Sequence, residues 1–73
     1  MKYIIYSYEI IDGDIDFVER LENKGEKSNV AEALSLADEL DKKQKEIRFK
    51  GEDLRSIVHR VYDENDHLIT NSS

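Results

Sequence analysis

The stretch NVAEALSLADEL, Asn29 to Leu40, reads as the opening of an amphipathic helix. Asn29 is a good N-cap, because its side-chain oxygen can accept from the orphaned N–H groups of a first turn. Glu32, three positions on, completes a capping-box pattern. Val30, Ala33, Leu34, Ala37 and Leu40 recur at helical spacing and form one apolar stripe. Asp38, Glu39 and Asp41 give way to Lys42, Lys43 and Lys45, so cations gather toward the end where the helix dipole favours them. Leu36 lies off the stripe and is expected at the surface.

The segment before this helix reads as extended. Lys2 to Ile11 is rich in β-branched and aromatic residues, which suit a pleated, packed surface. It is apolar in both alternating registers. We assign Ile4, Tyr6, Tyr8 and Ile10 to the core, leaving Tyr3, Ile5 and Ile11 on the opposite face. Gly13-Asp14 suits a two-residue hairpin loop, because glycine accepts the positive φ such a turn requires. Ile15, Phe17, Glu19 and Leu21 would then line a second strand ended by Asn23-Lys24-Gly25. A rival reading caps a short helix with Asp16, but a lone short helix is marginal.

After the helix, Ile47 and Phe49 alternate with charged residues and predict a strand ended near Gly51. Ser56 to Tyr62 is rich in β-branched residues, and the run through Asp63-Glu64-Asn65-Asp66-His67 to Leu68-Ile69 reads as strand, turn, strand. The expected architecture is α+β in the order ββαβ(β): a small antiparallel sheet with one amphipathic helix packed on one face. Residues 1–70 are expected to form this single domain and residues 71–73 a frayed tail.

Composition narrows the function classes. The chain has 73 residues, 38% hydrophobic and 38% charged, which implies one small soluble domain with a thin core. It contains no cysteine, so disulfides, cysteine-ligated zinc and thiol nucleophiles are excluded. The run from Met1 to Tyr6 is too short for a signal peptide or a membrane span, and the expected setting is cytoplasmic.

The net charge is −6, and residues 1–26 carry −4 of it. Glu9, Asp12, Asp14, Asp16, Glu19 and Glu22 therefore form a candidate acidic face, which would attract a basic protein surface and repel phosphate backbones.

Each chemical motif fails on spacing. Asp12-Gly13-Asp14-Ile15-Asp16 opens like a calcium loop, yet Phe17 and Asn23 stand where a glycine and a bidentate glutamate are needed. His59, His67 and Asp63 supply no firm further zinc ligand. No nucleophile elbow or phosphate-binding glycine loop is present, so no catalytic residue, metal or cofactor is expected.

A non-catalytic protein-binding module is the leading expectation, of the accessory kind that phages or mobile elements encode as inhibitors or regulators. Its surfaces would be the acidic face and a half-covered sheet exposing Tyr3, Ile5 and Ile11, with a free edge strand as a route to a homodimer. One alternative is a nucleic-acid-binding regulator using Arg48, Lys50, Arg55 and Arg60 within the basic stretch 45–60. A stacking platform on the N-terminal strands is disfavoured by their acidity. Another is an acidic mimic of nucleic acid that inhibits a DNA-binding enzyme.

Overall fold

The computed structural model describes residues 1–11, 13 and 17–69. The expected strands and helix appear as β1 (Tyr3–Ile10), β2 (Val18–Lys27), α1 (Val30–Phe49), β3 (Ile57–Asp63) and β4 (Leu68–Ile69). The strands form one sheet in the order β2-β1-β3-β4, each neighbour pair antiparallel, with α1 packed on one face. The α+β reading, ββαβ(β), therefore holds. Because β2 and β3 are both antiparallel to β1, they run parallel to each other. Helix α1 is the crossover between them, and β1 fills the central slot.

The helix begins where the capping chemistry places it. The Asn29 side chain accepts from Ala31 N at 2.8 Å and Glu32 N at 3.3 Å, with Asn29 itself extended. Its length departs from expectation: α1 continues through Ile47 and Phe49, and no strand forms there. Residues 42–50 contain no glycine or proline and are mostly good helix formers. Ile47 continues the inward stripe seven residues after Leu40, while Phe49 points outward at 93% exposure. The stop comes at Gly51, whose φ of +77° suits a residue without a Cβ. Gly51 N–H donates to Arg48 O at 3.0 Å and Glu52 N–H to Ile47 O at 3.1 Å, the paired bonds of a glycine-terminated helix.

The register of β1 is the reverse of the one expected. The core consists of Ile5, Ala33, Ala37 and Val61, with Tyr3, Leu34, Leu36, Leu40 and Ile69 packed around it. Ile5 is fully buried beneath the helix, so Tyr3 and Ile5 do not form the exposed sheet face. The reason is steric. Ala33 and Ala37 bring the helix backbone close to the middle of the sheet, leaving room there for Ile5 and Ser7, while the Tyr3 ring packs only at the margin of this core. Tyr6 and Tyr8 consequently project from the opposite face. Leu36, expected at the surface, packs on the core, and its Cδ2 lies 3.7 Å from where a Cβ on Gly25 would stand.

Strand β2 also differs. Ile11 N–H donates to Phe17 O at 3.0 Å and the strand begins at Val18, so the connection is longer than a two-residue Gly13-Asp14 turn. Asp12 and residues 14–16 of that turn lie outside the described residues, as do 70–73, which include the expected tail. The rival helix is not formed over Val18–Leu21. Asn23-Lys24-Gly25 does not end the strand. The chain passes through it by register shifts opposite Ile5/Tyr6 and Ser7/Tyr8, which absorb Lys24 and Leu21 as extra residues.

The β3–β4 hairpin follows the sequence closely. Asp63 Oδ1 accepts from Asn65 N and His67 N, both at 2.9 Å, and Asp66 takes the left-handed backbone at φ +63°. Among the described residues, no helix is long and apolar enough to cross a membrane.

Candidate functional site

The uncovered face of the sheet carries a cluster of tyrosines and arginines. Alternation along β1 sends Tyr6 and Tyr8 there, and pairing of Tyr6 with Arg60 and Ile4 with Tyr62 brings the β3 side chains alongside. The Tyr6 and Tyr62 rings meet edge to face with centroids 6.0 Å apart, and Tyr8 and Tyr62 are 6.1 Å apart at a tilt of 45°. These separations lie in the favourable range for aromatic pairs.

Arg20 of β2 reaches over all three rings. Its guanidinium carbon is 4.1 Å from the Tyr6 centroid, 5.0 Å from Tyr62 and 5.4 Å from Tyr8. Nε donates to the Tyr8 hydroxyl at 2.8 Å. Arg60 approaches Tyr8 from the other side, at 5.2 Å. Guanidinium–ring contacts of this kind are attractive, and Arg20 ties β2 to β3 across the intervening strand.

The cluster alters its own chemistry. Tyr8 is 5% exposed although no helix covers it. Burial, reinforced by its hydrogen bond with Tyr62, pushes the Tyr8 phenol up to about 12, with Arg20 acting in the opposite direction. For Tyr62 burial also acts upward, but hydrogen bonds from Tyr8, Arg60 and Arg20 outweigh it and bring that phenol below its ordinary value.

The expected acidic face is only partly assembled. Glu9 stands opposite Glu19, and Ser7 opposite Glu22, which places all three carboxylates on the helix side of the sheet. Arg55 sits among them: its guanidinium is held above its usual value first by the Asp53 hydrogen bond, then by the charges of Asp53, Glu9 and Glu22. Asp12, Asp14 and Asp16 lie outside the described residues.

The four cations of the nucleic-acid alternative do not converge. Arg55 is clamped on Asp53, with Nη2 to Oδ2 at 2.8 Å, and this holds the Asp53 carboxyl down to about 2. Arg60 faces the open sheet, whereas Arg48 and Lys50 stand at the end of α1.

The two histidines are separated as well. His59 Nδ1 lies 2.8 Å from Asp41 Oδ1, and the imidazole side chain is only 4% exposed. His67 is 77% exposed beside Asp63, on the β4 side of the hairpin turn. Asp63 is four residues from His59 along β3, roughly 13 Å at about 3.3 Å per residue. Among the described residues, no group of three metal-ligating side chains comes together. An open cleft of about 400 Å³ lies between α1 and the β3–β4 hairpin, lined by Leu34, Ala37, Asp41, His59 and Ile69.

Comparison with protein families, curated proteins and solved structures gives no match. The surface is therefore read from its own chemistry. The Tyr–Arg cluster is hidden in the sequence because Arg20 lies within an acidic segment. The available signal was two arginines, Arg20 and Arg60, on strands flanking a tyrosine-rich one.

Proposed function

We propose that this chain is a non-catalytic protein-binding module that docks a partner on the open face of its sheet. In this reading it is a cytoplasmic accessory protein, of the inhibitor or regulator kind that phages and mobile elements encode. The observation that carries the reading is the Arg20 guanidinium seated 4.1 Å over Tyr6 and bonded to Tyr8, on the face that the helix leaves uncovered. Tyrosine and arginine are among the residues enriched in the energetic centres of protein interfaces, because they combine large apolar area with directional donors. Here they are held in place by one another, so little side-chain freedom would be lost on docking.

The same geometry weighs against base stacking. One guanidinium already lies over the three rings, and a nucleobase would have to displace it. Strand addition is opposed too: β2, an outer strand, carries two register shifts and alternating charges, which disrupt an edge as a template. The acidic side of the sheet is a subsidiary surface in this account.

Capture on the immobilised chain, with and without nuclease, tests the reading. Proteins retained after nuclease treatment by the native chain, and lost from the variant carrying Arg20→Ala and Arg60→Ala, would support it. Equal retention by both chains would overturn it.

A further inference from the structure

The cleft between α1 and the β3–β4 hairpin holds about 400 Å³, within the size range of small-ligand sites. Leu34 and Ala37 of the helix and Ile69 of β4 give it apolar walls, and Asp38, Asp41 and His59 supply its polar groups. Arg60 borders it too, but its guanidinium lies on the open face of the sheet, 5.2 Å from the Tyr8 ring.

These polar groups are all acceptors. A carboxylate only accepts, so the 2.8 Å contact of Asp41 Oδ1 with His59 Nδ1 puts the ring hydrogen on Nδ1. The neutral imidazole then carries a lone pair at Nε2. The His59 side chain is 4% exposed. Gln44 Nε2 is the one buried side-chain nitrogen or oxygen left without a partner among the described residues. His59 Nε2 makes no hydrogen bond there either, so it is the part of the ring that opens on the cleft. Asp41 Oδ2 makes no hydrogen bond among the described residues, and no lysine or arginine pairs with this carboxylate. Asp38 stands one turn earlier on the same helix face. Its contact with Lys42, Nζ to Oδ2 at 3.0 Å, is an exposed pair that exchanges readily.

We propose that this cleft binds a small organic cation with several N–H donors, an amidinium, guanidinium or ammonium group on an apolar body. Asp38 and Asp41 take the charge, His59 Nε2 accepts a further N–H, and Leu34, Ala37 and Ile69 hold the body. Other ligand classes meet an obstacle. Two carboxylates repel an anion. A purely apolar molecule strips water from the acceptors and returns no hydrogen bond. A metal ion needs ligands that converge, and among the described residues no three do, whereas an extended cation can span them. The cleft lies on the helix side of the sheet, apart from the Tyr–Arg face, so this inference does not depend on the docking surface.

The test is an NMR titration of the isotope-labelled chain at mildly alkaline pH with benzamidinium, benzamide and benzoate, three molecules of one shape and different charge. Benzamidinium should shift the amides of Ala37, Asp38, His59 and Ile69 and the ring Nε2 of His59, and leave the His67 ring unmoved. Benzamide should bind roughly fivefold more weakly or worse, the scale of one charge-assisted hydrogen bond, and benzoate should leave the cleft unshifted. Asp41→Asn keeps an acceptor for His59 and should weaken benzamidinium binding about five- to tenfold. Asp38→Asn, at the exposed rim, should weaken it about twofold. Glu39→Gln, the same charge change on another face of the helix, should leave it unaltered. The peptide acetyl-leucyl-arginyl-leucine amide offers the same chemistry on a protein chain. Tighter binding of benzamidinium assigns the cleft to a free cation and tighter binding of the peptide to an arginine side chain of a partner, and either supports the site.

No shift in the cleft with either cation overturns the proposal. Equal binding of benzamide, or unaltered affinity in both aspartate variants, overturns the role of the carboxylates. A ring hydrogen found on His59 Nε2 instead of Nδ1 overturns the acceptor assigned to the imidazole.

Discussion

Asp41 Oδ1 accepts both the backbone N–H of His59, at 2.9 Å, and a hydrogen bond with its Nδ1, at 2.8 Å. One carboxylate oxygen thereby joins the middle of α1 to β3. It also satisfies a β3 N–H that points away from β1, at a position the two residues of β4 do not reach. Asp41 is an edge cap as well as a helix–sheet tether.

Removing that oxygen should be felt throughout the domain. Asp41→Ala leaves the His59 N–H and a ring with 4% side-chain exposure without their acceptor, a loss of about 1–3 kcal/mol. Asp41→Asn retains one acceptor oxygen and should lose less. Urea denaturation checks both, and an unchanged midpoint in Asp41→Ala would show that the tether carries no stability.

The β1 register makes an opposite pair of demands on neighbouring residues. Ile5→Ala empties a fully buried site beneath Ala33 and Ala37 and should cost about 2–5 kcal/mol. Ile4→Ala, on the open face and only half-buried, should cost distinctly less. Equal losses in thermal or denaturant unfolding would be inconsistent with this register.

Alkaline titration reports on the Tyr–Arg cluster. Tyr8 is an acid whose folded value, about 12, lies above its ordinary 10. The neutral form is favoured by folding, so this contribution to stability is complete below pH 10 and is lost as pH rises toward 12. Absorbance titration of the four tyrosines should show one phenolate appearing well after the ordinary range, and Tyr8→Phe should abolish that late step. A single ordinary midpoint for all four would contradict the buried geometry.

The sequence made parts of this molecule readable for local reasons. Asn29 announces the helix start through its own side chain, and Asp63 to His67 announces a turn through residues that bond their own backbone. The β1 register was not readable by alternation because both faces of Tyr3–Ile10 are apolar. Its signal lay elsewhere, in Ala33 and Ala37, whose small size demands a close sheet surface with Ile5 rather than a bulky ring beneath them. The alternation of Ile47 and Phe49 imitated a strand, whereas the spacing from Leu40 to Ile47 was the helical one. The site was the least legible part. Arg20 and Tyr62 are far apart in sequence, and only the order β2-β1-β3 places one guanidinium over both flanking strands.

The central claim is that a protein partner sits on the Tyr–Arg face, and site-specific photo-crosslinking tests it most directly. A benzophenone side chain would be placed at Leu68, beside Tyr62 on the open face, at Glu19 on the acidic side, and at Glu39 on the helix. The account predicts a discrete protein adduct from Leu68 that survives nuclease, with little from Glu19 or Glu39. Adducts from Glu19 or Glu39 with none from Leu68 would contradict it.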